Sequence, residues 1–138
     1  PGMKVLQFAF SNDDNEYLPR TYKDENCVVY TGSHDADCTT SWCKKLKGDT
    51  LARFKKECLR FCGGANRTYA MINLAFQSVA NLAVVPLQDW LLLINEQGRM
   101  NTPSVAQGNW VWRAPSNYDN HELIDRIRKT NERFKREN

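Results

Sequence analysis

The chain has 138 residues, 41% hydrophobic and 25% charged, the balance of one globular domain with a real core and not of a disordered chain. Its formal net charge of +3 does not mark a nucleic-acid binder, which needs clustered basic side chains. No apolar run approaches the ~20 residues of a membrane span, and no signal peptide is visible. Five cysteines, Cys27, Cys38, Cys43, Cys58 and Cys62, argue by their odd number against a secreted disulfide framework. The spacings Cys38-x4-Cys43 and Cys58-x3-Cys62 are irregular for zinc, so reduced, buried thiols are the expectation. Pro1-Gly2-Met3-Lys4 lacks an initiator Met at its head, which leads us to expect further chain upstream. The sequon Asn66-Arg67-Thr68 is expected to stay silent without a secretory signal.

Lys4 to Phe10 (KVLQFAF) is apolar and β-prone, and it reads as a buried strand. Ser11 to Asn26 is polar, carries Leu18-Pro19 and reads as loop. Cys27 to Thr31 reads as a second strand stopped by Gly32. Asp49 to Phe61 has helical periodicity, with Asp49 or Thr50 as N-cap and Gly63-Gly64 as stop. Asn66 to Asn81 reads as a further helix. Its apolar face is Ala70, Met71, Leu74, Ala75, Ser78, Val79 and Leu82. Ala83-Val84-Val85-Pro86 reads as a third strand, and Gln88 to Ile94 as a short helix. Asn95 to Trp112 is too long for a plain connector, and loops of that length are usually functional. Asp119-x-x-Glu122 predicts a capping box for a last helix with the stripe Leu123, Ile124, Ile127 and Phe134.

Short apolar strands alternating with helices imply a parallel sheet. Each strand ends in a polar cluster: Ser11-Asn12-Asp13, Ser33-His34-Asp35 and Gln88-Asp89. Parallel α/β folds place their chemistry at such carboxyl ends. Asp35 has two balanced readings: a carboxylate that binds sugar hydroxyls beside an oxocarbenium-like transition state, or a loop residue capping the next turn. His34 is either a hydrogen-bond donor to a ligand or a satisfied structural histidine. Asp37 reads as a turn or cap residue. Glycoside chemistry needs two carboxyl groups across the scissile bond, and Asp35 with Asp37 or Asp89 is the available set. Arg99-Met100-Asn101 and Gly108-Asn109-Trp110-Val111-Trp112-Arg113 form the other dense region. Its tryptophans either stack on sugars or, the favoured reading, alternate inward to seal a core edge. The basic C-terminal residues Arg126, Arg128, Lys129, Arg133, Lys135 and Arg136 are mixed with Asp125, Glu132 and Glu137 and read as a solvated helix face, not a nucleic-acid strip.

Taken in order, these segments resemble the C-terminal part of the amylomaltase family, the 4-alpha-glucanotransferases or disproportionating enzymes. Pro1 to Phe10 resembles the family's sixth barrel strand, with Tyr17-Leu18-Pro19 following. Val28 to Asp35 resembles the seventh, ending in its His-Asp pair. Pro86-Leu87-Gln88-Asp89, Arg99-Met100-Asn101 and Gly108 to Arg113 resemble the eighth-strand region and the closing loops. The likeness covers nearly the whole chain. It departs where the family reads Thr-His-Asp-Asn-Asp-Thr: Ser33, Ala36 and Cys38 replace Thr, Asn and Thr. A later Gly-Trp-Trp is Ser41-Trp42-Cys43, Arg20 stands where His is common, and Leu92 where Gly is common.

The resemblance implies an α/β chain forming about strands six to eight of a (β/α)8 TIM barrel, with residues 1–138 inside a single catalytic domain whose upstream strands lie elsewhere. It implies transfer of α-1,4-glucan segments by a retaining double displacement. The nucleophilic Asp and acid/base Glu belong to upstream strands. Asp35 matches the third catalytic carboxylate, a transition-state stabiliser, and His34, Arg99, Asn101, Asn109 and Trp110 are the expected substrate-binding residues. No coenzyme or metal is expected. Partners would be α-1,4-glucans and maltooligosaccharides, not nucleic acid or membrane, and the chain would need the N-terminal part of the barrel. Two other readings stand beside this: a non-catalytic α-glucan-binding module, and an α-amylase-type hydrolase. The thiols suit a reducing compartment, cytoplasm or alternatively plastid.

Overall fold

The computed structural model describes residues 2–59 and 66–137. The described strands, β1 (Gly2–Val5), β2 (Cys27–Tyr30) and β3 (Leu82–Val84), form one sheet in the order β1-β2-β3. Both pairings are parallel, with Met3 opposite Val28 and Val28 opposite Leu82. The parallel sheet expected from the alternation of elements is therefore present, and its neighbours are consecutive in sequence. The β1–β2 connection carries only 3-10 turns, at Leu6–Phe8 and Pro19–Thr21.

The first strand is shorter than KVLQFAF predicts. The chain turns at Leu6, burying Leu6, Ala9 and Phe10 while Phe8 stays 57% exposed. Gln7 explains the turn. Its amide enters the interior and donates to the Asp37 carbonyl at 2.9 Å and to Thr39 Oγ1 at 3.3 Å. A straight strand would leave that buried amide without partners, a cost of roughly 1–3 kcal/mol.

Six helices follow in the described residues: α1 (Thr39–Lys45), α2 (Gly48–Cys58), α3 (Arg67–Gln77), α4 (Leu87–Trp90), α5 (Asn95–Gly98) and α6 (His121–Phe134). Helix α2 starts after Lys47 without a side-chain cap, not at Asp49 or Thr50. Its expected stop, Gly63-Gly64, lies outside the described residues, as does Cys62. Helix α3 is capped by Asn66, whose side chain accepts from the Tyr69 amide at 3.0 Å. It ends four residues early, at Gln77, because Ser78 and Arg136 take up its last carbonyls. Val79 and Leu82 are thus exposed and lie outside the expected stripe. The last helix begins one residue later than the predicted box, capped by Asn120.

Helix α3 is buried on two faces. Met71, Leu74 and Ala75 join Leu6, Phe10, Val29 and Phe54 in the main core, between the sheet and helices α1–α3. Ile72 and Phe76 join Trp90 and Leu123 in a second cluster under α6. Full burial of side chains such as Phe10 and Phe54 contributes about 1.5–3 kcal/mol each. Ile124 is 43% exposed, so the α6 stripe reduces to Leu123, Ile127 and Phe134. No described helix is long and apolar enough to cross a membrane.

Candidate active site

Residues 32–38 connect β2 to α1 at the carboxyl end of the sheet. The backbone must turn sharply after β2, and Gly32 lets it pass the Gln7 side chain: a Cβ at Gly32 would meet Gln7 Nε2 at 2.5 Å. His34 and Asp35 then project outward, their side chains 56% and 52% exposed. Asp35 Oδ1 accepts from Asn101 Nδ2 at 2.6 Å, and Oδ2 lies 3.2 Å from His34 Nε2. The Asn101 amide donates to the His34 carbonyl at 3.2 Å. Two loops 66 residues apart in sequence are thereby laid side by side.

Arg99 fixes that juxtaposition. Its Nε donates to the Asn101 carbonyl at 2.9 Å, Nη2 to the Asp35 carbonyl at 3.0 Å, and Nη1 to Asp37 Oδ1 at 2.7 Å. Asp37 also accepts from Asn95 Nδ2 at 2.8 Å and Lys45 Nζ at 2.9 Å. Asp37 is therefore the hub of an ionic network and not the turn or cap residue expected. Burial alone would raise its pKa; the bonds from Lys45 and Asn95 and the charges of Lys45 and Arg99 outweigh this and hold it below the usual carboxylate value.

Beneath the loop sits Asp89, 1% exposed. It accepts from Thr31 Oγ1 at 2.6 Å, Thr39 Oγ1 at 2.7 Å and the Thr39 amide at 2.8 Å. Burial pushes its pKa up, while those three bonds pull it down; the net direction is upward. With its oxygens engaged, Asp89 is not the second open carboxylate that the sequence allowed for, and neither is Asp37. Cys38, 7% exposed, has its thiol raised to about 11, chiefly by burial and next by the Asp89 charge, so it is no nucleophile at neutral pH.

A pocket of about 200 Å³ adjoins these groups, lined by Ser33, His34, Ala36, Met100 and Trp110, with Asp37, Asp89 and Arg99 in its wall; Asp35 and Asn101 stand outside that lining. Trp110 does not seal a core edge. It is 61% exposed, and its ring lies 5.1 Å from His34, centroid to centroid. Its backbone has φ +61° and donates to the Met100 carbonyl at 2.8 Å. A bulky side chain held out in a left-handed conformation is a costly arrangement. Trp112, half-buried, donates Nε1 to the Gln97 carbonyl at 2.9 Å. A larger cavity, about 320 Å³, lies between α3 and α6 and is lined by Tyr69, Trp90, Glu122, Asp125 and Arg126, with none of the sequence-predicted site residues in its wall.

The structure thus brings together Asp35, His34, Asn101, Arg99 and Trp110. Asn109 stands apart: its Oδ1 accepts from the Thr102 amide at 2.9 Å and its Nδ2 donates to the Val105 carbonyl at 2.7 Å, so it shapes the 102–109 loop. Sequence reasoning missed Gln7, Thr39, Lys45 and Asn95 because their roles exist only across elements. The departures from the family pattern are also placed. Ser33, Ala36 and Cys38 line the pocket, Ser41 Oγ accepts from the Asn95 amide at 2.8 Å, and Cys43 packs in the main core beside Trp42. Cys27, Cys38, Cys43 and Cys58 are all buried. Among the described residues no group of three or more His, Cys, Asp or Glu is placed to hold a metal ion.

A family profile described as 4-alpha-glucanotransferase matches residues 1–118. The chain is 41% identical over 132 residues to the chloroplastic/amyloplastic 4-alpha-glucanotransferase of Arabidopsis thaliana, covering 93% of this chain and 22% of that one. It is 38% identical over 128 residues to the 4-alpha-glucanotransferase of Clostridium butyricum, covering 92% and 26%. To that of Thermus thermophilus it is 40% identical over 119 residues, covering 82% and 24%. The chain thus spans about a quarter of the length of these relatives. Among solved structures, the amylomaltase from Streptococcus agalactiae in complex with acarbose superposes with a TM-score of 0.89 at 24% identity, covering 100% of this chain and 28% of that one. The α/β fold is that of part of an amylomaltase. On the strength of the profile match over residues 1–118, the chain belongs to the 4-alpha-glucanotransferase family.

Proposed function

We propose that β1, β2 and β3 are the sixth, seventh and eighth strands of the single catalytic (β/α)8 barrel of a 4-alpha-glucanotransferase, and that residues 1–138 supply part of its active site. One observation carries the reading. An exposed carboxylate, Asp35, stands at the carboxyl end of a parallel strand, flanked by His34 and Asn101 and beside an outward-facing Trp110. That is the equipment for gripping a sugar: an acceptor for hydroxyls, donors on both sides, and an aromatic face for the apolar side of the ring.

In the reaction, a carboxylate from an upstream strand attacks the anomeric carbon and the glycosidic oxygen leaves with a proton from an upstream acid. The glycosyl-enzyme then passes its sugar to the hydroxyl of an acceptor glucan instead of water. Asp35 acts in both displacements. Its negative charge and its bonds to the sugar hydroxyls strengthen as the ring flattens toward an oxocarbenium ion. His34 and Asn101 orient Asp35 and share the sugar contacts. Arg99 holds the two loops, and Asn109 keeps the Trp110 loop in shape. The chemistry requires no metal or coenzyme. Partners are α-1,4-glucans and maltooligosaccharides, and the remaining barrel strands come from the rest of the protein. The buried thiols and the plastid labels of the plant relatives support a reducing compartment, cytoplasm or plastid.

The test uses the whole protein that carries this chain. With maltotriose as donor and acceptor, Asp35→Ala should lower kcat on the order of 10²–10³-fold while acarbose binding weakens less. Unchanged turnover in that variant, or a folded whole protein that transfers nothing from maltotriose, would overturn the reading. A product pattern dominated by hydrolysis would replace transferase with hydrolase.

A further inference from the structure

We propose that Asp89 is a positioning residue for the reaction: it anchors both stems of the His34–Asp35 loop on a single buried carboxylate. This rests on the reading of Asp35 given above and extends it.

The geometry is specific. Thr31 directly follows β2, and Thr39 is the first residue of α1. They bracket residues 32–38. The side chain of Asp89, on α4, reaches both: Oδ2 accepts from the two threonine hydroxyls, and Oδ1 accepts from the Thr39 amide. These bonds join positions 58 and 50 residues apart. The residue preceding α1, Cys38, offers no side-chain cap. Asp89 therefore does from a distance what a local Ser, Thr or Asp would do, satisfying an amide that the helix itself leaves open. No local capping residue could also hold the β2 stem.

A carboxylate with 1% exposure is expensive to keep in an interior and persists where its bonds are indispensable. Thr31 and Thr39 are themselves fully buried. Gln7 adds a further bond to Thr39 Oγ1 at 3.3 Å and one to the Asp37 carbonyl at 2.9 Å, so the anchor is braced from the β1 side. The exposed arm of the loop then has little freedom. Asp35 meets Asn101 at 2.6 Å because both stems are pinned. A shift of about 1 Å in a group of this kind can cost on the order of 10²-fold in rate.

Two hydroxyl deletions test this in the whole protein. Thr31→Val and Thr39→Val keep side-chain volume and remove one donor to Asp89 each. Each should lower kcat on maltotriose roughly tenfold or more, with KM within about threefold of the parent. Thr39→Ser restores the hydroxyl and should restore kcat to within about twofold, even if its thermal midpoint stays lowered by the lost methyl. A merely structural clamp gives the opposite pattern: a lowered midpoint and an unchanged kcat per folded molecule in both valine variants. That pattern overturns the proposal. Should Thr39→Val not fold, Thr31→Val carries the test alone, because it leaves both Thr39 bonds to Asp89, hydroxyl and amide, intact. Asp35→Asn, assayed in parallel, separates the two readings. If it is inactive while the valine variants are fully active, the anchor fails and the site stands. If it is as active as the parent, the reading of Asp35 fails first.

Discussion

Asp37 shows what a single carboxylate does when three donors converge on it. Lys45, Asn95 and Arg99 stabilise its ionised form in the folded state beyond what burial costs. Its folded pKa lies below the unfolded value of 3.8. Its contribution to stability is thus complete above that value and is lost as pH falls through the lower folded one. Asp37→Asn should therefore unfold at lower urea than the parent at about pH 6, and the difference should shrink steadily below about pH 4. A gap independent of pH would show that packing, not charge, is what Asp37 supplies. Leu92 makes the converse point about backbone. It has φ +57°, a left-handed conformation that costs a residue with a Cβ about 1–2 kcal/mol, and it stands where the family resemblance puts Gly. Its side chain belongs to neither core cluster. Leu92→Gly should stabilise by about 1 kcal/mol, the strain relieved less the entropy of Gly. Calorimetry of the whole protein checks it, and a lower midpoint would refute it.

Between elements, the apolar contact of α6 with α3 is reinforced by one arginine just beyond α6. Arg136 was grouped by sequence with a solvated basic face. Instead its Nε donates to the Phe76 carbonyl at 2.7 Å, Nη1 to the Ala80 carbonyl at 3.0 Å and Nη2 to the Ser78 carbonyl at 2.7 Å. It closes the C-terminus of α3 and complements the negative end of that helix. Burial depresses its pKa without neutralising it at physiological pH. Lys135, in a left-handed conformation at φ +54°, ends α6 and swings Arg136 into place. Arg136→Ala should destabilise by roughly 2 kcal/mol, and Arg136→Lys should recover only part, since an ammonium cannot span three carbonyls. Hydrogen exchange of the α3 amides should report the loss locally. Uniform protection across α3 in the alanine variant would show that Arg136 is dispensable.

Across the whole molecule, the sheet has two unequal faces. Val29 is fully buried in the main core. On the opposite face Met3 and Leu82 are 55% and 54% exposed, in one row with Val28. An apolar sheet face of this kind, with unpaired strand edges, invites association. Residues 1–138 expressed alone should therefore self-associate in sedimentation velocity and show no transfer from maltotriose. A stable monomer that fails to bind a hydrophobic dye would refute an open inner face. The same face in the whole protein should be covered, and dye binding there should be absent.

Much of this was legible from residue order. Short apolar strands alternating with helices point to a parallel sheet, and β1 and β2 pair that way even though only 3-10 turns join them. The strand-end clusters Ser33-His34-Asp35 and Gln88-Asp89 point to one end of that sheet, and the family resemblance adds Arg99-Met100-Asn101 to it. The helix α3 declared itself through Asn66 and its apolar period. What sequence could not declare were features made of distant partners. Helix α1 has no amphipathic stripe and no local cap; its start is satisfied by Asp89, 50 residues away. Asp37 read as a turn residue because Lys45, Asn95 and Arg99 meet it only in space. By residue type alone Trp110 reads as core, since composition favours burying an indole; only the family resemblance set it among the substrate-binding residues, and it is the loop backbone that turns it outward. Local propensity and period determine which elements form. Which carboxylate stands open to solvent, which lies buried beneath the loop and which holds the loops together depends on bonds between elements, and those exist only once the chain has packed.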